Sequence, residues 1–161
     1  MQKNSLKIGN AGEHLACYYA IMEGFDAHRV SGQRKFDVLV EDSGLIFRVQ
    51  VKTSRYRDKN KKNLTFQLRR RTMDYKKKKS IGIKYGREID LYAFVSPDYV
   101  KVAWMPVVNI VNSYKINIKE EDFNKYTIKD AMETLKRFIV WPTDYLKYHP
   151  MNNARYLLDL E

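Results

Sequence analysis

The sequence predicts a single α/β domain in which a mixed β-sheet has helices packed on it. Three observations point there. Apolar and polar residues alternate through Phe36–Val40 and Leu45–Thr53, as in half-buried strands. A helical pattern opens the chain, strands follow, and a second helical pattern comes late. The 161 residues contain no internal repeat and no Pro-, Gly- or Ser-rich linker, which fits one core rather than two.

Taken in order, Asn10 reads as a helix N-cap, Ala11 to Glu23 has helical periodicity, and Gly24 ends it. At about 100° per residue, Glu13 shares a face with the small residues Ala16, Cys17, Ala20 and Gly24. Leu15, Tyr18 and Met22 form a second apolar stripe, so this helix has two faces suited to burial. Phe25–Val30 is a short strand, and Phe36–Val40 and Leu45–Thr53 are stronger ones, separated by the turn-rich Glu41-Asp42-Ser43-Gly44. Leu64–Arg70 is a further strand, followed by a basic segment open to a helical reading. Ile89–Val95 and Val100–Met105 make a second hairpin across Ser96-Pro97-Asp98. Past Pro106 the pattern weakens until Asp130–Ile139, which is helical, and the aromatic tail from Pro142 has no assignable period. The core is therefore expected over residues 9–108, with a helical C-terminal extension over 109–161.

Composition narrows the function classes. With 44% apolar and 30% charged residues the chain is globular rather than disordered. A single cysteine, Cys17, excludes an internal disulfide and a Cys-rich zinc site, and His14, His28 and His149 lack metal-ligand spacing. The polar start MQKNSLKIGN has no apolar run of a signal peptide, and the longest apolar stretch, VAWMPVVNIV, is broken by Pro106 and too short for a bilayer. A soluble, cytoplasmic protein is expected.

Charge is the strongest compositional signal. The net charge is +11, of which +10 lies between Arg55 and Lys79 and only +1 in the rest. Concentrated positive charge binds polyanions by releasing their counterions, so nucleic acid is the first partner to consider. Tyr56 and Tyr75 interleave with the basic residues, which suits packing on sugars or bases. The plainer alternative is a solvated, lysine-rich surface. No amphipathic helix accompanies the charge, which argues against a membrane partner.

The second strand of the first hairpin, IFRVQVKT, puts Phe47, Val49 and Val51 on one face and Arg48, Gln50 and Lys52 on the other. Asp37, Leu39 and Glu41 lie opposite the apolar face of Phe36, Val38 and Val40. A two-residue loop at Asp42-Ser43 sets Asp37 across from Arg48; one at Ser43-Gly44 sets it across from Gln50. Either register superposes the apolar faces and gathers a carboxylate, an amide and an ammonium on one patch. The dull alternative is a solvent-facing edge. If the small-residue stripe of the first helix meets the sheet, Glu13 is aimed at it as well; alternatively, Asn10-Ala11-Gly12-Glu13 is a capping box in which Glu13 bonds back to the Asn10 N–H.

Asp37, then Gln50-Val51-Lys52 on the next strand, preceded by a helix with Glu13 in GNAGEHLACYYAIMEGF, resembles the PD-(D/E)XK nuclease superfamily. More narrowly, it resembles the Q-x-K variant with a compensating helical Glu, found in small intron-encoded homing endonucleases. The later YGREIDLYAFVSPDYVKVAWMPV resembles the strand pair that follows in such nucleases, and the likeness covers residues 9–108. Phe36 stands where the name-giving Pro would be, and Gln50 replaces a carboxylate.

The resemblance implies a restriction-endonuclease-like fold and Mg²⁺-dependent hydrolysis of double-stranded DNA, with Mn²⁺ able to substitute. It implies catalytic roles for Glu13, Asp37, Gln50 and Lys52, and metal ligation by Asp37, Gln50, the Val51 carbonyl and Glu13. Arg48 and Arg55 would bind phosphate near the cut. Arg57, Lys59, Lys61, Lys62, Arg69, Arg71, Lys76, Lys77, Lys78 and Lys79 would grip the duplex more widely. The alternatives are a structure-selective nuclease such as a junction resolvase, and a nucleic-acid-binding module without catalysis. Because one site cuts one strand, a homo-oligomer (dimer or tetramer) is expected, with the tail bearing Trp141, Tyr145, Tyr148 and Tyr156 either a contact surface or ordinary core.

Overall fold

The structure is a computed structural model and describes residues 2–32, 34–55, 63–74, 79–84, 88–110 and 113–140. The first helix, α1, spans Gln2–Met22. It starts well before Asn10, so Asn10 is an interior residue and caps nothing; its N–H lies in a running helix, which excludes the capping box. The C-terminal end is as expected. Gly24 takes φ +93°, the Phe25 N–H bonds the Ala20 carbonyl at 3.0 Å and the Gly24 N–H bonds Ile21, which together close the helix.

Five strands make the main sheet: β1 (Asp26–Arg29), β2 (Val38–Asp42), β3 (Leu45–Thr53), and, later in the chain, β7 (Leu91–Ser96) and β8 (Lys101–Pro106). Their spatial order is β1-β2-β3-β7-β8, antiparallel throughout except for the parallel β3–β7 pair. IFRVQVKT is thus the middle strand of a mixed sheet, not an edge. The β2–β3 hairpin turns on two residues, Ser43 and Gly44, both with positive φ (56° and 82°), a turn whose twist matches that of paired strands. Val38 is paired with Val49, the register that sets Asp37 across from Gln50.

Between β3 and β7 the chain builds β4 (Asn63–Gln67), β5 (Arg69–Asp74) and β6 (Lys79–Lys84). Instead of a helix, the basic segment after β4 supplies two strands that pair with each other, Arg69 opposite Lys84 through Asp74 opposite Lys79. Residues 109–140 also depart from a helical extension. They include β9 (Lys115–Lys119), antiparallel to β4, then a 3₁₀ turn at Glu120–Lys125 and the helix α2 (Ile128–Val140). The remainder of the expected extension, 141–161, with Trp141, Tyr145, Tyr148 and Tyr156, lies outside the described residues.

Both faces of the sheet are covered. On one face, Ala16, Cys17 and Ala20 of α1 and Ile128, Ala131, Met132 and Leu135 of α2 bury Val38, Val40, Phe47, Val49 and Val51. The small α1 side chains permit close approach, and at Gly12 it leaves no room for a side chain: a Cβ there would lie 1.9 Å from Thr53 Oγ1. The expected second stripe is not buried, for Tyr18 and Met22 are 55% and 65% exposed while Leu15 packs partly on the core. On the other face, the β4–β9 ribbon and Phe123 cover Tyr92, Phe94, Ala103 and Met105. Phe36 joins this second cluster rather than the valines, because β2 starts only at Val38 and the alternation does not extend back to it. Among the described residues no helix is long and apolar enough to cross a membrane.

Candidate active site

The site forms where β2 ends and β3 continues. β2 has no ladder partner for Val51, since its pairing stops at Val38 opposite Val49. Asp37 fills the gap with its side chain: the Val51 N–H donates to Asp37 Oδ2 at 2.8 Å, and the Gln50 amide nitrogen donates to the same oxygen. The Asp37 backbone is fixed as well, its N–H bonding Val49 O at 2.8 Å and its carbonyl accepting from Val30 N at 2.9 Å. A carboxylate held by charge-assisted bonds from a central strand is pre-positioned.

Gln50 is 7% exposed, so the solvent-facing alternative fails. Its amide nitrogen also reaches the Val51 carbonyl oxygen at 3.2 Å, so one NH₂ bridges Asp37 and Val51. Lys52 is half-buried, two residues on, in register with Phe94 of the neighbouring β7. Burial lowers its amine from 10.5 to about 8, while the Asp37 charge pulls it back up. Burial likewise raises the Asp37 carboxyl, helped by the negative charge of Glu13 and opposed by the Val51 N–H, the Lys52 charge and Gln50. Each group thus feels the other, and Glu13 is close enough to act on both Asp37 and Cys17.

Glu13 arrives from α1, on the valine side, and its charge is felt at Asp37. Its partner is Arg29 of β1, with Nη2 and Nε 2.5 and 3.0 Å from Glu13 Oε2. Arg29 Nη1 also lies 2.7 Å from His14 Nε2. Arg29 was not among the candidates read from the sequence. The signal was there, since pairing β1 with β2 sets Arg29 opposite Val38, one residue from Asp37.

The donor set suits a hard divalent cation. Asp37 and Glu13 each anchor one oxygen, Oδ2 and Oε2, leaving Oδ1 and Oε1 without a hydrogen-bond donor among the described residues. No group of three or more His, Cys, Asp or Glu side chains converges among the described residues. A cation here would therefore depend on the Val51 carbonyl and on a Gln50 amide turned to offer its oxygen in place of the NH₂, beside two carboxylates, which would make an all-oxygen set of the kind Mg²⁺ prefers.

The expected phosphate ligands are placed unevenly. Arg48 is gripped by the buried Asp90, which accepts from Arg48 Nη2 at 2.8 Å, Nε at 3.0 Å and its backbone N–H at 2.8 Å. That pair ties β3 to the start of β7. Arg55 meets Asp98 at 2.8 Å but is 55% exposed. Arg69 lies 3.6 Å over the Tyr114 ring. Arg71 and Lys79 are placed by strand register, opposite Gly82 and Asp74. Arg57, Lys59, Lys61, Lys62, Lys76, Lys77 and Lys78 lie outside the described residues.

Comparisons with known proteins bear on the family and the fold. The family model described as PD-(D/E)XK endonuclease matches residues 3–134. The solved structure of a bacterial homing endonuclease, I-Ssp6803I, superposes with a TM-score of 0.64 at 17% identity, covering 84% of this chain and 95% of that one. This likeness carries the fold, which is restriction-endonuclease-like. No curated protein matches the sequence. With four-fifths of its length matched by the family model, the chain belongs to the PD-(D/E)XK endonuclease family.

Proposed function

We propose that this protein is a Mg²⁺-dependent endonuclease that hydrolyses phosphodiester bonds at a specific site in double-stranded DNA. The observation that carries the reading is the cluster beside β3: Asp37 is held by the Val51 N–H and the Gln50 amide, and the half-buried Lys52 and the charge of Glu13 both act on it.

Asp37 Oδ1, Glu13 Oε1 and the Val51 carbonyl would hold the cation, joined by Gln50 once its amide turns the oxygen inward. Bound there, Mg²⁺ (or Mn²⁺ in its place) supplies an activated water and relieves charge on the phosphate oxygens. The chain's own residues do the rest. Burial of Asp37 next to Glu13 makes two negative charges costly together, so the pair favours a cation over two carboxylates facing each other. Lys52, a cation for most of the time below about pH 8, stands beside Asp37 to hydrogen-bond the attacking water and to offset the charge that develops on the phosphate. Arg55 and Arg69, with the rest of the +10 window that begins three residues after Lys52, would grip phosphates on either side of the cut. A double-strand cut calls for two copies of the chain on one duplex.

Selection of cleaved molecules from a randomised duplex library in Mg²⁺, with a four-way junction as a parallel substrate, tests the proposal. One recovered recognition sequence, ends bearing 5′-phosphate and 3′-hydroxyl, and no preference for the junction are expected. Cleavage confined to the junction would assign structure selectivity instead, and no cleavage of either would leave only a polyanion binder.

A further inference from the structure

The guanidinium of Arg29 spends all three of its nitrogens on one turn of α1. Nε and Nη2 both go to Glu13 Oε2, and Nη1 goes to His14 Nε2. The bonding is lopsided. A fork-to-fork pair would have occupied both Glu13 oxygens, yet Oε1 has no hydrogen-bond partner among the described residues. Glu13 keeps 20% of its side chain exposed and Arg29 33%, so neither is forced into the contact by burial.

Glu13 has the hardest placement of the site residues. Asp37, Gln50, Val51 and Lys52 come from the sheet itself, whereas Glu13 must be brought from a helix on the valine face. A free Glu loses rotamer entropy when it is fixed. The β1–β2 register holds Arg29 opposite Val38, beside Asp37, in a position to do the fixing before any ligand arrives.

We propose that Arg29 is a positioning residue for Glu13: it holds Oε2 and so presents Oε1, beside Asp37, as the oxygen offered to the cation. His14 steadies the guanidinium from the neighbouring residue. This inference rests on the metal-site reading above and adds a residue that does not touch the cation.

The sign of one measurement separates positioning from its rivals. By charge alone, removing Arg29 takes a positive charge away from a cation site and should tighten binding. Removing a competitor for Glu13 should tighten it too. Loss of positioning does the reverse. Calorimetric titration of Ca²⁺ as the probe ion into the full chain, without DNA, is therefore the test. Arg29→Gln should weaken Ca²⁺ binding by about tenfold, with an unchanged melting curve, and Arg29→Lys should recover part of the loss. In a Glu13→Gln background, Arg29→Gln should cost nothing further, because the two act as one unit.

Binding that is unchanged or tighter in Arg29→Gln, or an equal loss in both backgrounds, would overturn the inference. Asp37→Asn separates that failure from failure of the site itself. If Ca²⁺ binding depends on Asp37 but ignores Arg29, only the positioning role falls. If the wild type binds no Ca²⁺, or Asp37→Asn binds it equally well, the metal site is wrong and the role of Arg29 falls with it.

Discussion

Burial brings the Lys52 amine down from 10.5 to about 8, against the pull of Asp37. The folded state therefore releases this proton more readily than the unfolded chain does. Between about pH 8 and 10.5 the unfolded chain holds more protons, so this group makes stability rise with pH across that window. Lys52→Met removes the effect. The unfolding free energy of wild type minus variant, followed by urea denaturation, should climb by about 1–3 kcal/mol over the window, and a flat difference would contradict the burial argument. Gln50 offers a second test at this scale. Its amide N–H groups close the gap by bridging Asp37 and the Val51 carbonyl. Gln50→Glu replaces that donor with a third negative charge, so the variant should melt earlier in chelator, by about 1–3 kcal/mol, and regain more than the wild type on adding Ca²⁺. Equal melting curves in chelator would show that the bridge contributes nothing. The residue roles were only partly legible in sequence. Alternation alone put Gln50 and Lys52 on one face and Asp37 beside them, but the direction of the Asp37 carboxylate, into the strand edge at Val51 N–H, depends on where β2 stops.

α1 meets β3 at Gly12, one residue before Glu13. Gly12 meets Thr53 so closely that an added Cβ would sit 1.9 Å from the Thr53 hydroxyl oxygen. Gly12→Ala should cost about 1–3 kcal/mol by overpacking and should also reduce cleavage, since it lifts the turn that carries Glu13. Combining it with Thr53→Ala should restore much of both; failure to restore either would mean that the close approach is not what holds the helix in place. Elements with strong local signals were legible. The β2–β3 hairpin could be read from its alternation and from Ser43-Gly44, leaving just two registers to choose between. The start of α1 could not. Asn-Ala-Gly-Glu has the spacing of a capping box, and a local pattern cannot report that the helix already runs from Gln2. The basic segment was ambiguous for a different reason. Its lysines and arginines favour helix, whereas Thr72, Ile81 and Ile83 favour the strands that form, and only pairing of β5 with β6 decides between them.

At the level of the molecule, charge and fold divide the work. A sheet covered on both faces carries Gln50 and Lys52 on its middle strand, while the excess charge is concentrated in the window from Arg55 to Lys79. If that window grips phosphates, affinity for duplex DNA should fall steeply with salt, by roughly a thousandfold or more between 50 and 200 mM for 6–10 phosphate contacts. A nearly salt-independent affinity, measured by fluorescence anisotropy, would return the window to a solvated surface. The architecture could be anticipated because helix, strands and helix follow one another without a linker. The second cover, β4 paired with β9, could not, for its strands lie nearly fifty residues apart and each is only five residues long. The central claim is that the gap beside β3 cuts DNA, and the nicking rate of supercoiled plasmid in Mg²⁺ tests it most directly. Asp37→Asn and Lys52→Ala should each slow nicking by at least about a hundredfold while duplex binding persists. Nicking at the wild-type rate in both variants would contradict it.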